Sequence, residues 1–490
     1  MLFNRLEYKW LVATAFVVGI FMDIMDSTIT NVALPTLGRT FHAGNTTLEW
    51  VVTGYLLSLA VWVPASGWIG DRFGTKKTFM FALAMFTLAS GLCGLSWNIG
   101  SLIGFRLLQG VGGGMMTPVG MAMLFRAFPP NERAQASAVT IIPTFIAPTF
   151  GPILGGWLVT DVSWRWIFYL NLPMGIFGLL FTAIYIREHR EPGAGGFDVW
   201  GFVCSGAGLA LILYALSQGP IPAIGWRSPR VLGPGFAGVA LFGALVVIEL
   251  RSRQPMLAFR LFRDRMFRNA NLFSFMVMGA MMGALFLLPL YLQQLRGFSA
   301  LDSGLTTFPQ ALGMIVVVQI SSRIYHRVGP RRLMLAGVGG STVTTALFLL
   351  VGLHTDLWWI RGIMLLRGMT MGMAMVPMQA AMFSTIKPQD TGRASAITST
   401  NRQVAGSIGV ALLATVLAER TVSHLAGAAT SAAQAQGRLL AFHDAFFFAV
   451  VLSAVGVAFA FLIHDEDAAA SMRRPAAPRP ERAPAESVAG

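Results

Sequence analysis

Charge is what this chain of 490 residues has least of. Only 12% of it is Asp, Glu, Lys or Arg, about half the share of a soluble domain. Hydrophobic residues make up 55%, and the mean hydropathy is +0.63. These values exclude an ordinary water-soluble globular protein. Cysteine is nearly absent: Cys93 and Cys204 both fall in apolar runs, where neither a structural disulfide nor a metal site with enough ligands is expected. There is no Gly-Lys-Ser/Thr phosphate loop and no soluble stretch to house one, which excludes an ATP-driven pump. His-Glu-x-x-His is absent too. No enzyme activity, catalytic residue, cofactor or metal is expected.

What is present is one apolar run after another. A span needs about 20 such residues to cross a core of about 30 Å. Fourteen are expected, at 10–34, 48–70, 78–97, 100–125, 135–160, 165–187, 199–217, 231–250, 270–292, 303–323, 332–353, 357–382, 394–418 and 442–463. Backbone groups in lipid must be paired within their own segment, so each run reads as a helix and the fold as an all-α polytopic membrane protein. The formal charge of +14 does not imply nucleic acid as a partner. With the N-terminus in the cytoplasm, most of the 36 Lys and Arg fall on that side, and three lie within spans: Arg106, Arg367 and Arg402. Both termini are then cytoplasmic, and Arg5 and Lys9 precede an uncleaved first helix rather than a signal peptide.

Two echoes divide the chain. Gly67-Trp-Ile-Gly-Asp-Arg-Phe-Gly-Thr-Lys-Lys77 matches Ser322-Arg-Ile-Tyr-His-Arg-Val-Gly-Pro-Arg-Arg332 at Ile69/Ile324, Arg72/Arg327 and Gly74/Gly329, and Leu107-Leu-Gln-Gly110 is echoed by Leu365-Leu-Arg-Gly368. Weak internal symmetry of this kind marks repeated transporter halves. The first turn joins spans 2 and 3 and its echo joins spans 10 and 11, so the repeat is eight spans long. The expected organisation is a six-helix bundle over 1–190, an inserted pair over 191–250, a basic connector with six Arg over 251–269, read as an interfacial helix, a second six-helix bundle over 270–463, and a disordered tail over 464–490. His326 stands where the echo of Asp71 would be acidic, which makes the two turns unequal.

The first span carries two acids, Asp23 and Asp26, on one helical stripe with Gly19 and Thr30. A charged side chain near the bilayer centre costs at least about 2.5 kcal/mol on insertion scales, so a carboxylate there marks function by default. The plainer reading is a tie to Arg106: at about 1.5 Å per residue, Asp23 lies about 20 Å and Arg106 about 20–25 Å from the cytoplasmic side. Pairing and proton exchange are compatible. The other acids in or beside spans, Glu249, Asp302, Glu419 and Asp444, lie near helix ends where water is expected. One proton moving down 100 mV and one pH unit yields about 2.3 and about 1.4 kcal/mol, enough for export of a neutral solute against a several-hundredfold gradient. Arg367 and Arg402 have no acidic neighbour in sequence, which leaves structural pairing with backbone carbonyls or contact with an anionic substrate group.

Met25-Asp-Ser-Thr-Ile-Thr-Asn-Val-Ala-Leu-Pro35, the 67–77 turn, Arg106-Leu-Leu-Gln-Gly110, Gly151-Pro-Ile-Leu-Gly-Gly156, Trp164-Arg-Trp-Ile-Phe-Tyr-Leu-Asn-Leu-Pro173 and Phe286-Leu-Leu-Pro-Leu-Tyr-Leu-Gln293 together resemble the EmrB/QacA group of the major facilitator superfamily, fourteen-span drug:proton antiporters. The resemblance implies a rocker-switch exporter in a bacterial inner membrane, acting on small hydrophobic or cationic compounds with protons and lipid as its other partners. It implies proton coupling or cation binding at Asp26, with Asp23 less securely mapped, and a relay role for Arg106. Gly67, Asp71, Arg72, Gly74, Lys76 and Lys77 would form a cytoplasmic gate motif. Pro148, Gly151, Pro152, Gly155 and Gly156 would form the span-5 antiporter motif, from which Ala147 departs where the family often has Gly. A monomer is expected, with accessory efflux proteins as an open partner. Export of a lipid, metabolite or peptide, or a sensor or scaffold that has kept the fold without flux, are the alternatives that the sequence leaves standing.

Overall fold

A computed structural model describes residues 7–191, 196–221, 223–252, 255–426 and 430–472. Fourteen long helical segments carry the chain: α1 Tyr8–Phe41, α2 Asn45–Phe73, α3 Thr75–Gly94, α4 Ile99–Ala127, α5 Arg133–Trp157, α6 Trp166–Tyr185, α7 Val199–Gln218, α8 Pro229–Arg251, α9 Arg265–Leu290, α10 Ala300–Val328, α11 Pro330–Ala346, α12 Leu357–Ser384, α13 Thr391–Leu425 and α14 Ser431–Ala460. Eleven helices among the described residues are long and apolar enough to cross a membrane. The exceptions, α4, α5 and α12, are 29, 25 and 28 residues long; α4 and α12 fall short in hydropathy, and part of α5 lies outside the described residues. They are rich in Gly, Pro and Thr or carry a buried Arg, because other helices rather than lipid cover much of them.

The packing repeats. In the first half α1 lies against α4, α5 and α6, and α4 against α2 and α3, while α3 also meets α6. Eight helices later α9 meets α12, α13 and α14, α12 meets α10 and α11, and α11 meets α14. Helices α7 and α8 pack on each other, and α7 rests on α2. The halves meet where α2 crosses α13 and where α5 crosses α10 and α12.

The two echoed turns take the same shape for the same reason. Gly74 (φ +103°) and Gly329 (φ +85°) occupy a backbone region that strains any side chain. In each case the chain leaving the last helix of the bundle brings a carboxylate to the exposed amides of the next helix start. Glu188 accepts from the N–H of Lys76 at 3.0 Å and of Lys77 at 3.3 Å, and Asp465 accepts from Arg331 N–H at 2.9 Å. Both described chain termini lie at this basic end, since Lys9 pairs with Glu132 at 2.7 Å and Asp465 sits on the 329 turn.

Four expectations are corrected. The connector is not an interfacial helix: it buries Met256, Leu257 and Ala258 and makes one short turn at Phe259–Arg263. Helix α9 starts at Arg265 rather than 270, because Asp264 caps it by accepting from Phe267 N–H at 2.8 Å. Order continues beyond 464, where Asp465–Ala468 and Ala469–Met472 form short turns, held by Asp467 on Arg265 (2.8 Å) and by the Ser471–Tyr325 hydroxyl contact (2.8 Å); the rest of the tail, 473–490, lies outside the described residues. Glu249, placed near water by its position, is only 3% exposed and accepts from Leu257 N–H at 3.0 Å.

Close backbone approach tests the packing. A Cβ at Gly112 would stand 2.5 Å from the Ala82 carbonyl oxygen and 2.6 Å from Phe86 N on α3, whereas one at Gly104 would meet nothing within 4 Å. Gly112→Val is therefore expected to destabilise the protein by about 1–3 kcal/mol, read as a lower apparent Tm in detergent. Gly104→Val serves as the matched control and should leave the melting curve within about 0.5 kcal/mol of the parent.

Candidate functional site

The two acids of α1 part company in three dimensions. Asp26 is fully buried and points to the interior of the first bundle. One of its carboxylate oxygens pairs with the Arg106 guanidinium, and the other accepts from Gln109 Nε2 at 3.0 Å and Asn171 Nδ2 at 2.8 Å. Arg106 also donates through Nε to the Val51 carbonyl at 3.1 Å and through Nη1 to Gln109 Oε1 at 2.8 Å, with its plane over the Tyr55 ring at 4.2 Å. Such a pair is tolerable in a low-dielectric interior only because nearly every donor and lone pair is served.

Asp23 lies one turn away and lines a cavity of about 1210 Å³ between the two halves. Its partners are hydroxyls only: Tyr55 donates to Oδ1, and Thr117 donates to Oδ2 at 3.3 Å. Tyr55 thus touches both sites, with its hydroxyl on Asp23 and its face under Arg106. Gly113 makes this possible, since a Cβ there would come 2.6 Å from the Tyr55 hydroxyl and 3.2 Å from Asp23 Oδ1. Tyr55 was not singled out by the sequence. Gln109 and Asn171 sit inside runs that the sequence reading quoted, where a polar residue in an apolar helix was the available signal.

The cavity is closed at the basic end. Phe125 of α4 stacks on Phe383 of α12 with centroids 4.1 Å apart. Arg126 pairs with Asp71 at 2.8 Å and donates to the Pro388 carbonyl at 3.1 Å. Arg133 donates to the Ile386 carbonyl at 3.3 Å, and Ser395 Oγ to the Pro118 carbonyl at 2.7 Å. A Cβ at Gly67 would lie 2.6 Å from the Gly392 carbonyl oxygen, and one at Gly392 would lie 2.7 Å from Asp71 Oδ1. The first turn of α13 therefore rests on Asp71, an acid at a helix N-terminus. Toward the other end the lining runs to Gln294, Leu425 and Arg438, at the far ends of α9, α13 and α14. Access is from that end.

The remaining sequence candidates divide. Lys76 Nζ reaches the Ala183 carbonyl at 2.7 Å, while Arg72 and Lys77 are exposed at the basic end. In α5, Gly151 lies on Thr28 and Gly155 lies 2.8 Å, counted from a built Cβ, from Ile29, so both bring α5 against α1. Gly156 faces open space, Pro148 is half-buried within the helix, and the Pro152 side chain lies outside the described residues. Ala147 is fully buried, so its methyl is accommodated. Arg367 is 2% exposed, and its Nε and Nη1 have no partner among the described residues; beside it is a void of about 20 Å³ bordered by Ser341, Thr345 and Ser453. Arg402 lines the large cavity. Cys93 and Cys204 are buried free thiols.

Comparison with known proteins agrees with this fold. Residues 16–410 match the Major Facilitator Superfamily. The chain is 37% identical to the multidrug resistance protein B homolog of Mycobacterium tuberculosis (strain ATCC 25618 / H37Rv), over 81% of this chain and 74% of that protein. It is 30% identical to the multidrug transporter protein MdtP of Bacillus subtilis (strain 168), over 84% and 76%. The crystal structure of the human organic anion transporter MFSD10 superposes with a TM-score of 0.64 at 17% identity, covering 91% of this chain and 99% of that one, a likeness of fold.

The buried pair has a measurable consequence. Asp26→Asn leaves the Arg106 charge in a dry interior and should cost about 3–5 kcal/mol, whereas Asp26→Asn combined with Arg106→Gln should lose less than the sum of the two single changes. Asp23→Asn, which removes no ion pair, should move the melting curve by about 1 kcal/mol or less. Thermal unfolding of the four proteins in one detergent checks the order.

Proposed function

The chain belongs to the major facilitator superfamily, a family of transporters rather than enzymes, and from that premise we propose that it is a proton-coupled exporter of apolar, drug-like compounds working by alternating access. The observation that carries the reading is Asp23: an acid without a cationic partner, on the wall of a large apolar cavity that is closed at one end only. A carboxylate in that position can take a proton from the open side. Through Tyr55 it is one residue removed from the Asp26–Arg106 pair, so a change of charge at Asp23 alters the field on Arg106 without any long rearrangement.

The positive-inside rule sets the orientation, with the basic end and both termini in the cytoplasm of a bacterial inner membrane. The arrangement is then the outward-facing state, in which substrate leaves and a proton enters. Asp71, Arg126 and the first turn of α13 form the cytoplasmic gate. Opening the gate means giving up the contact of Asp71 with the first turn of α13, three side chain to carbonyl bonds and one ring stack, a set whose members are individually modest, while the Asp71–Arg126 pair stays within the first bundle. The multidrug proteins among the relatives support drug-like cargo.

Two measurements test this. In energised inverted vesicles, the proton release that accompanies ethidium uptake should fall by at least about tenfold in Asp23→Asn, equivalent to about 1.4 kcal/mol or more of coupling; unchanged proton flux would sink the assignment. Phe125→Cys with Phe383→Cys should be joined by a short bifunctional thiol reagent across the position of the ring stack, which halts transport, while the unlinked thiols leave transport running.

A further inference from the structure

The cavity contains a second charge that proton coupling does not use. Arg402, in the middle of α13, half-buried and on the cavity wall, has no hydrogen bond or ion pair with any of the described residues. No ion pair joins it to Asp23 across the cavity. Beside it in the same wall are two further polar groups left open. Gln379 of α12 is 6% exposed with Oε1 unpartnered, and Ser399 of α13 is 7% exposed with Oγ unpartnered. Ser399, Arg402 and Gln403 share one helical face, being three and four residues apart. Around these groups the lining is soft, with Met278, Met281, Met282 and Met375 on α9 and α12, while the other cation of the lining, Arg438, is exposed at the open end.

A guanidinium held in an apolar wall raises the free energy of the folded state unless something compensates it, and residues of this kind in membrane proteins pair or mark a substrate path. Here protein compensation is missing while donors are present: the guanidinium fork and the Ser399 hydroxyl, which suit a planar carboxylate or a sulfonate, with the Gln379 carboxamide, whose oxygen is held by no partner, free to turn its NH2 toward the same anion. Methionines beside it suit an apolar body of variable shape. We propose that Arg402, with Gln379 and Ser399, is an anion subsite, so that the exported compounds include amphipathic organic acids bound by their carboxylate or sulfonate. The inference rests on the exporter reading and narrows its cargo. It also changes the energetics: one proton inward for one monoanion outward moves two charges down the membrane potential, whereas the same exchange for a monocation moves none.

The test uses the purified full-length chain in detergent and two labelled probes with the same apolar body, 2-naphthaleneacetate and its uncharged amide, measured by equilibrium dialysis. The wild type should bind the acid at least tenfold more tightly than the amide. Arg402→Gln should level the two without weakening the amide, and Arg402→Lys should keep most of the preference. Equal binding of the two probes to wild type, binding of neither, or a preference that survives in Arg402→Gln overturns the subsite. Ethidium export with proton counterflow by the wild type reports separately on the exporter reading. Its presence without an acid preference removes the anion subsite alone, and its absence with the preference intact removes the coupling reading while the subsite stands.

Discussion

A carboxylate and a guanidinium shut away from water organise the first half of this protein. Desolvating two charges costs several kcal/mol each, and their attraction offsets that only when the remaining hydrogen-bonding groups are also met. Asp26 and Arg106 meet most of it, with Arg106 Nη2 left without a hydrogen-bond partner among the described residues, by recruiting four helices: α1 and α4 carry the charges, α2 gives the Val51 carbonyl and the Tyr55 ring, and α6 gives Asn171. The glycines of α4 follow from this. Gly110 and Gly113 leave room for Ser58 and Tyr55 of α2, where a Cβ would meet atoms at 2.6 Å, so the backbone can come close enough for the carbonyl and ring to reach Arg106. Between helices in lipid, where the hydrophobic effect drives no association, such close contact and the polar bonds it permits are the main source of cohesion.

The two halves share an architecture and differ in chemistry. Their helix pairings recur with an offset of eight, and each echoed turn uses a glycine with positive φ and a carboxylate arriving from behind the last helix of its bundle. Among the described residues of the second half no buried ion pair repeats it. Arg367, which echoes Gln109, has unpartnered N–H groups beside a small void, and Arg402 faces the cavity. His326 stands opposite Asp71 in the echo, so an acid rests under the start of α13 with no equivalent acid on the other half. One half carries satisfied charge and the other carries charge awaiting a partner.

Much of this could be read from residues in order. Hydropathy located fourteen segments because lipid accepts no unpaired backbone, and the echo at Gly74 and Gly329 gave the offset of eight because a turn that needs positive φ admits little besides glycine. The helix ends were less legible: α1 runs to Phe41 and α14 begins at Ser431, since hydropathy senses the edge of the lipid while a helix stops at its cap. The cap of α9, Asp264, looks in sequence like one more charge in a charged connector. At the site, Asp26 and Arg106 could be matched by depth, but the separation of Asp23 from Asp26 could not. The two lie on one stripe of an isolated helix, and only the positions of α4 and α6 decide that one faces the cavity and the other does not. Tyr55 was invisible for a similar reason, because a tyrosine in an apolar run has no signature until its hydroxyl has a partner.

The closed end must be able to open, and its composition bears on that. Every element of the seam is small: Asp71, which keeps its Arg126 partner inside the first bundle, against the first turn of α13, three bonds to carbonyls, one aromatic stack and a glycine-to-glycine crossing of α2 on α13. Groups of this kind exchange protein for water without leaving a dry, unpaired charge, so the seam can part at modest cost. The Asp26–Arg106 pair cannot, because each partner alone would be stranded in the bundle interior. A structure that moves as two halves therefore has to keep its indispensable charges inside one half and set its reversible contacts between them. That is how they are distributed here: all the groups that serve Asp26 and Arg106 come from helices of the first bundle, while the ring stack, the three bonds to carbonyls and the contact of Asp71 with the start of α13 cross from one bundle to the other.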